Sequence, residues 1–169
     1  MIKAIVYNSN TGFTKQYAYS FATSVGLPIY TLKEAKKKLN KNDKIIYFSW
    51  IAADKIYKIN KAKRYDIAYA AAVGMNLYSD ELIELIKKRS KFENIYYLQG
   101  GIRWRMLKPS QRIMMKLILW MLKRKNKKNK LTDDEKVVLD RMNYGYETVD
   151  LDSLKFLIEW YNNQKELVA

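Results

Sequence analysis

Hydrophobic positions change their period several times along the chain. Ile2–Asn8 is a short apolar, β-branched run that stops at small polar residues, and it reads as a buried strand. Thr14–Val25 switches to helical spacing: Tyr17, Ala18, Phe21, Ala22 and Val25 share a face, Gly26 suits the helix end and Pro28 follows as a stop. Ile29–Leu32 is a second short strand, and Lys33–Leu39 a short basic helix or turn. Asp43 precedes a third apolar run, Ile45–Ser49, which ends at Trp50; after a mixed segment, Asp66–Val73 forms an Ala-rich fourth run. Ser79 is placed to cap a helix over Asp80–Arg89, with its acids early and its bases late, as the helix dipole prefers. Asn94–Gln99 is the fifth strand, halted by Gly100-Gly101. This alternation predicts an α/β fold: a three-layer, doubly wound parallel sheet of five strands with helices on both faces. Ligands of such sheets sit at the carboxyl ends of the strands, where the strand order reverses.

The pattern after Gly101 differs and predicts a helical insertion over roughly residues 103–147. Ser110 is the expected cap of a helix over Gln111–Lys123 that is apolar almost all round, with Ile113, Met114, Met115, Leu117, Ile118, Leu119, Trp120, Met121 and Leu122. A basic run, Lys123–Lys130, follows as a loop. Thr132 and Glu135 form a capping-box pattern for a helix reaching about Met142, and Asp150 or Asp152 caps a last helix through roughly Leu167. No internal repeat is visible, and the 169 residues make one domain.

Composition narrows the chemistry. There is no Cys and no His, which excludes disulfides, thiolate nucleophiles, Cys-type zinc sites, His-ligated haem and the Ser-His-Asp arrangement. Any reaction must rest on carboxylates, Lys, Tyr, backbone dipoles or an organic cofactor. Asp133-Asp134-Glu135 would be the acidic cluster for a metal, but their place in the first turn of a helix reads as dipole compensation, so no metal site is expected. Lys+Arg exceed Asp+Glu by 32 to 17, a formal charge of +15. The N-terminus shows no secretory pattern and no run approaches the ~20 apolar residues of a membrane span, so the expected address is the cytoplasm, with a membrane surface as the variant.

The strongest local signal lies between the first strand and the first helix: Ser9, Asn10, Thr11, Gly12, Phe13 and Thr14. A helix N-terminus offers free N–H groups and a positive dipole end, which together hold an anion. Hydroxyls on Ser9, Thr11 and Thr14 add neutral donors, and Gly12 lets the backbone approach closely or take a positive φ. The loop contains no Lys or Arg until Lys15, which suits a monoester phosphate. The loop is neither a Walker loop nor Gly-x-Gly-x-x-Gly. Seen alone, it is equally a Ser/Thr-rich turn that caps a helix; its position after the first strand of an α/β pattern favours the phosphate.

Ser9–Thr14 resembles the Ser/Thr-x-Thr-Gly-x-Thr phosphate loop of flavodoxins, and the order of elements is similar to theirs across most of the chain. Gln99-Gly100-Gly101-Ile102-Arg103-Trp104, the Met-rich helix from Arg112 and the Asp-led last helix resemble more particularly the flavodoxin-type, menaquinone-dependent protoporphyrinogen oxidases. The resemblance implies a flavodoxin-like fold with FMN across three strand ends. Ser9–Thr14 would hold the phosphate. Ser49, Trp50, Ile51, Ala52 and Ala53 after the third strand, and Ala72, Val73, Gly74, Met75 and Asn76 after the fourth, would contact the flavin ring. Gly100 and Gly101 would approach its edge. Trp50 is a natural stacking partner for a flat aromatic ring, with Tyr78 and Trp104 as further candidates. Unlike many flavodoxins, the loop after the third strand has no Gly before Asp54 whose peptide could flip toward a reduced flavin.

The insertion admits three readings. It is a helix buried against the domain or in a homodimer with a solvated Lys loop; or an element at an anionic membrane surface over residues 111–130; or a nucleic-acid contact, which no companion signature supports. The functional expectation is FMN-dependent redox chemistry, with electrons or hydride exchanged with a quinone or a protoporphyrinogen-like substrate whose propionates would meet Arg103, Arg105 and Lys108. The alternatives are a small electron carrier whose basic face docks an acidic redox partner, and a non-redox module for lipid or nucleic acid.

Overall fold

A computed structural model describes residues 1–166 of the chain, so the expected end of the last helix at Leu167, like the Asp134 side chain, lies outside the described residues. Five strands form a parallel sheet: β1 (Ala4–Asn8), β2 (Ile29–Thr31), β3 (Lys44–Ala52), and, past a two-residue antiparallel strand β4 (Lys55–Ile56), β5 (Asp66–Gly74) and β6 (Ile95–Gln99). Their order is β2-β1-β3-β5-β6, with β4 paired to the end of β3. The order reverses between β1 and β3, and the topology is the flavodoxin-like one.

The strands read as continuous apolar runs because both faces are covered. Ile5 and Tyr7 of β1, Ile46 and Phe48 of β3, and Ala71 and Val73 of β5 pack on one side, under α1 (Phe13–Val25) and Leu157 and Tyr161 of the C-terminal helix. Val6, Ile45, Tyr47, Ala70 and Ala72 pack on the other, under α2 (Leu32–Lys38), α3 (Ile59–Ala62) and α4 (Asp80–Ser90). This is period-2 alternation in a sheet with no solvated face.

Helix boundaries follow local chemistry. The expected α1 face of Tyr17, Ala18, Phe21, Ala22 and Val25 is buried, and Gly26 closes the helix at φ 67°. Thr31 and Glu34 form a capping box on α2, and the Ser79 hydroxyl accepts from Leu82 N–H at 3.2 Å to start α4.

The insertion departs from expectation at both ends of its first helix. That helix, α5 (Pro109–Asn126), is capped from Lys108, with Pro109 in its first turn; the Lys108 N–H donates to the Gln111 side chain at 3.1 Å, so Ser110 is inside the helix. It also continues through Lys123-Arg124-Lys125-Asn126, so the expected basic loop is half helical. α6 (Asp133–Tyr144) starts at the expected Thr132–Glu135 box. The two helices meet over Met115 and Met142, with Ile102 completing a third small core. Asp150 caps a 3-10 turn, Leu151–Leu154, that leads into α7 (Lys155–Glu166). No helix among the described residues is long and apolar enough to cross a membrane.

Candidate functional site

The carboxyl ends of β1, β3, β5 and β6 open onto one cavity of about 520 Å³. Asn10, Thr11, Phe13 and Thr14 line it from the first loop, Trp50, Ile51, Ala52 and Ala53 from β3, Val73, Gly74, Met75 and Asn76 from β5, and Gly100 and Gly101 from β6. Most of the expected site residues therefore converge on one space at the switch point of the sheet.

Four of them do not. Ser49 and Ala72 are fully buried neighbours across β3 and β5, and the Ser49 hydroxyl donates to the Tyr57 carbonyl at 2.9 Å. They stay inside because β3 runs on to Ala52 and β5 to Gly74, moving the strand ends past the expected loops. Ser9 and Gly12 line a second cleft beside the first loop, which Asn10 lines as well. Nor does either lesser ring candidate line the cavity. Tyr78 is exposed and donates to Asp80 at 3.0 Å, while the Trp104 indole N–H donates to the Met142 carbonyl at 2.9 Å within the insertion.

The first loop is built for backbone contact. Gly12 is the N-cap of α1 at φ 97°, with no side-chain cap, so the first-turn N–H groups are left to other partners. Thr14 is buried against the cavity, and the Ser9 hydroxyl accepts from Lys15 N–H at 3.3 Å. The loop lacks a cation in sequence, but the fold brings one. Arg103 donates from Nη1 to the Thr11 carbonyl at 3.2 Å and lies 4.3 Å from the Phe13 ring centroid. Glu147 holds the same guanidinium in a bidentate pair at 2.6 and 2.7 Å, and that hydrogen bonding keeps the Glu147 carboxyl below its ordinary range. Arg103 is therefore engaged by the loop and Glu147, not free for substrate propionates as expected. Asn10 donates to Gln111 at 2.8 Å, which ties the loop to the start of α5.

The β3 side ends in a hairpin rather than an open loop. Ala53 (φ 49°) and Asp54 (φ 55°) form a two-residue connection to β4, both in the left-handed region that such hairpins require. Trp50 stacks on Tyr57 with ring centroids 4.3 Å apart, and its Nε1 is buried with no partner among the described residues.

On the β5 side the chain is pinned by two phenols. Tyr97 donates to the Asn76 carbonyl at 2.6 Å, and Tyr146, from the end of the insertion, donates to the Met75 carbonyl. Burial pushes both hydroxyls above their ordinary value, so they remain protonated donors at neutral pH. Gly74 makes room for one of them: a Cβ there would stand 2.5 Å from the Tyr97 hydroxyl. Gly100 is equally enclosed, since a Cβ would meet Val73 at 2.8 Å.

The far half of the cavity comes from elements the sequence does not join to the site. Leu107, Met114, Met115, Ile118, Leu122, Val138 and Met142 extend it as a largely apolar channel toward α5 and α6, with Glu135, paired to Lys125, also in its wall. The only sequence signal for this was the apolar character of α5 on every side, which does not say which face turns inward.

The cavity fits a phosphorylated flavin in three respects. Its loop end offers hydroxyls and helix N–H groups, its middle offers an indole beside small residues, and its far half offers apolar side chains. Compared with known protein families and curated proteins, the sequence matches none. Fold and site thus define an α/β protein with a ligand cavity at the switch point of a flavodoxin-like sheet.

Proposed function

We propose that the protein is an FMN-dependent redox protein that acts on a flat, apolar partner molecule. One observation carries this reading: a single cavity joins the Thr11–Thr14 helix start, the Trp50 side of β3 and the Gly74 and Gly100 ends of β5 and β6. Thr11, Thr14 and the first N–H groups of α1 would hold the phosphate, and Trp50, Gly74 and Gly100 the ring. When bound, FMN supplies the hydride or electron transfer; the chain supplies position, exclusion of water and fixed dipoles. Tyr97 and Tyr146 fix the Asn76 and Met75 carbonyls at the cavity wall, and neither phenol ionises near neutral pH.

The channel between α5 and α6 favours an enzyme over a simple carrier. A carrier needs only an exposed flavin edge, whereas an apolar channel continuing from the ring position accommodates a quinone or a porphyrin-like substrate. Arg105 and Lys108 remain exposed nearby for its carboxylates.

The test is visible spectroscopy and calorimetry of purified protein titrated with FMN and with riboflavin. FMN is expected to bind and show a shifted flavin spectrum. Thr11→Val should weaken FMN about tenfold or more, the worth of a hydrogen bond to a charged group, and leave riboflavin unchanged. No FMN uptake, or an equal effect on both flavins, would overturn the reading.

A peripheral membrane contact belongs to the same proposal. The α5 face opposite its partner α6 carries Ile113, Leu117, Trp120 and Met121, each more than half exposed, and the helix then runs into Lys123, Arg124, Lys127, Lys128 and Lys130. An apolar stripe continuous with a basic cluster matches an anionic lipid surface, at ~1 kcal/mol for each basic residue near it. Sedimentation with phosphatidylglycerol vesicles should carry down the protein and phosphatidylcholine vesicles should not. Leu117→Ser with Trp120→Ser should abolish most of the binding; unchanged sedimentation would remove this part of the proposal.

A further inference from the structure

Beside the first loop lies a second cleft of about 590 Å³, which shares Asn10 with the flavin cavity. Five lysines line it: Lys15 from α1, Lys33 and Lys36 from α2, and Lys58 and Lys61 from the start of α3. We infer that this cleft binds a polyphosphate chain, of the kind carried by a nucleoside diphosphate or triphosphate. The inference does not depend on the flavin.

The charge around the cleft is uncompensated. No Asp or Glu lines it, and no ion pair among the described residues engages any of the five lysines. Ion pairs do form at some lysines elsewhere, as at Lys3 with Asp43, Lys125 with Glu135 and Lys136 with Asp133, so what sets the cleft apart is five ammonium groups without a carboxylate gathered on one concavity. The one acid on α2, Glu34, is turned back to the Thr31 N–H and hydroxyl in its capping box.

Spacing converges the charges. Lys33 and Lys36 are three residues apart on α2, which puts them on one face, while Lys58 is the left-handed N-cap residue of α3 and Lys61 lies within that helix. Like charges so placed on α2 destabilise that short helix. Lys58 is held in position: its ammonium donates to the Asn8 side chain at 3.4 Å and sits 5.1 Å from the Tyr57 ring centroid. Lys15 is similarly steadied over Tyr19 at 5.2 Å.

Shape and charge together select the ligand. A concave cleft of this size takes a small extended molecule better than a flat protein face. A monoester phosphate carries at most about two charges and leaves most of the ammonium groups unanswered; a chain of two or three phosphates spans the cleft and pairs with them. The Ser9 hydroxyl at the rim adds a neutral donor.

The experiment uses the full chain, with and without added FMN, and calorimetry at about 0.15 M salt, where charges more than about 8 Å apart are largely screened. The probes are inorganic tripolyphosphate, ATP and inorganic phosphate. Tripolyphosphate is expected to bind at least about tenfold more tightly than phosphate, one such factor being a 1.4 kcal/mol difference. ATP binding tighter than tripolyphosphate would assign the chain to a nucleotide, and equal binding to the free polyanion. Combining Lys33→Gln, Lys36→Gln and Lys61→Gln should weaken binding about tenfold or more while leaving FMN affinity in place. A control combining Lys123→Gln, Lys127→Gln and Lys128→Gln removes the same charge from the insertion and should change little. Equal losses in both variants, or no heat with tripolyphosphate, would overturn the inference. As a second readout, tripolyphosphate should protect Lys33, Lys36 and Lys61 of the unmodified chain from acetylation, and equal labelling with and without it would also overturn it.

Discussion

Gly101→Ala is expected to lower the stability of the protein by about 3 kcal/mol, at the upper end of what overpacking does. The reason lies in backbone, which cannot turn aside as a side chain can. A Cβ at Gly101 would run into the Tyr146 carbonyl oxygen, with the Tyr146 carbonyl carbon 2.9 Å away and the Glu147 Cα 3.0 Å away. This crossing fastens both ends of the insertion to the sheet. Ile102 and Tyr146 exchange backbone hydrogen bonds at 2.8 and 3.2 Å, and the Thr148 hydroxyl donates to the Gly100 carbonyl. Pushing the strands apart also drags Arg103 and Glu147 from the first loop. Gly26→Ala supplies the contrast. Nothing lies within 4 Å of a Cβ there, so only the positive φ of 67° is strained, at about 1–2 kcal/mol. Urea unfolding of the two variants should show a larger midpoint shift for Gly101→Ala; an equal or smaller shift would contradict the crossing.

The same glycine shows where sequence stops being legible. Gly100-Gly101 is readable as a strand end at the ligand edge, and both residues line the cavity. That Gly101 also admits a second backbone segment rests on residues more than forty positions away, and no local pattern encodes it. The sheet was readable because strands buried on both faces appear as apolar runs, and helix starts because Ser79 and Thr132 hydrogen-bond within their own first turns. The hairpin after β3 was not readable. Its connection is Ala53-Asp54, without the glycine or asparagine that usually marks left-handed turn positions, so β3 looked two to three residues shorter and Ser49 looked like a loop residue. Nor did the chain reveal which side of α5 is inside. Met115 turns to α6 and Trp120 to solvent, but both faces are apolar, and periodicity has no contrast to work on. The family resemblance puts Arg103 at the substrate; instead it reaches the first loop from beyond β6 and is held there by Glu147.

Trp50 separates the part of the site that packs from the part that hydrogen-bonds. Its ring stands half-buried at the cavity, stacked on Tyr57 at 4.3 Å, while its Nε1 is buried without a partner among the described residues. Trp50→Ala removes the stack and one wall of the cavity, and should cost about 2–3 kcal/mol of stability, below the fully buried range because the ring is only half-buried. FMN affinity should fall with it by about tenfold or more, since the stacking worth of an aromatic pair adds to the lost burial. Trp50→Phe makes the opposite prediction for stability. It keeps a flat ring on Tyr57 and deletes an unsatisfied donor whose burial costs about 1–3 kcal/mol, so the variant should melt no lower than the parent. If Trp50 serves the flavin through its face, Trp50→Phe also retains FMN within about threefold, less than 1 kcal/mol of binding energy. Thermal unfolding and FMN titration of the two variants side by side decide the matter. Should Trp50→Phe lose FMN as badly as Trp50→Ala while remaining equally stable to the parent, the indole N–H and not the ring face would be the group that meets the ligand, and the stacking assignment would fall.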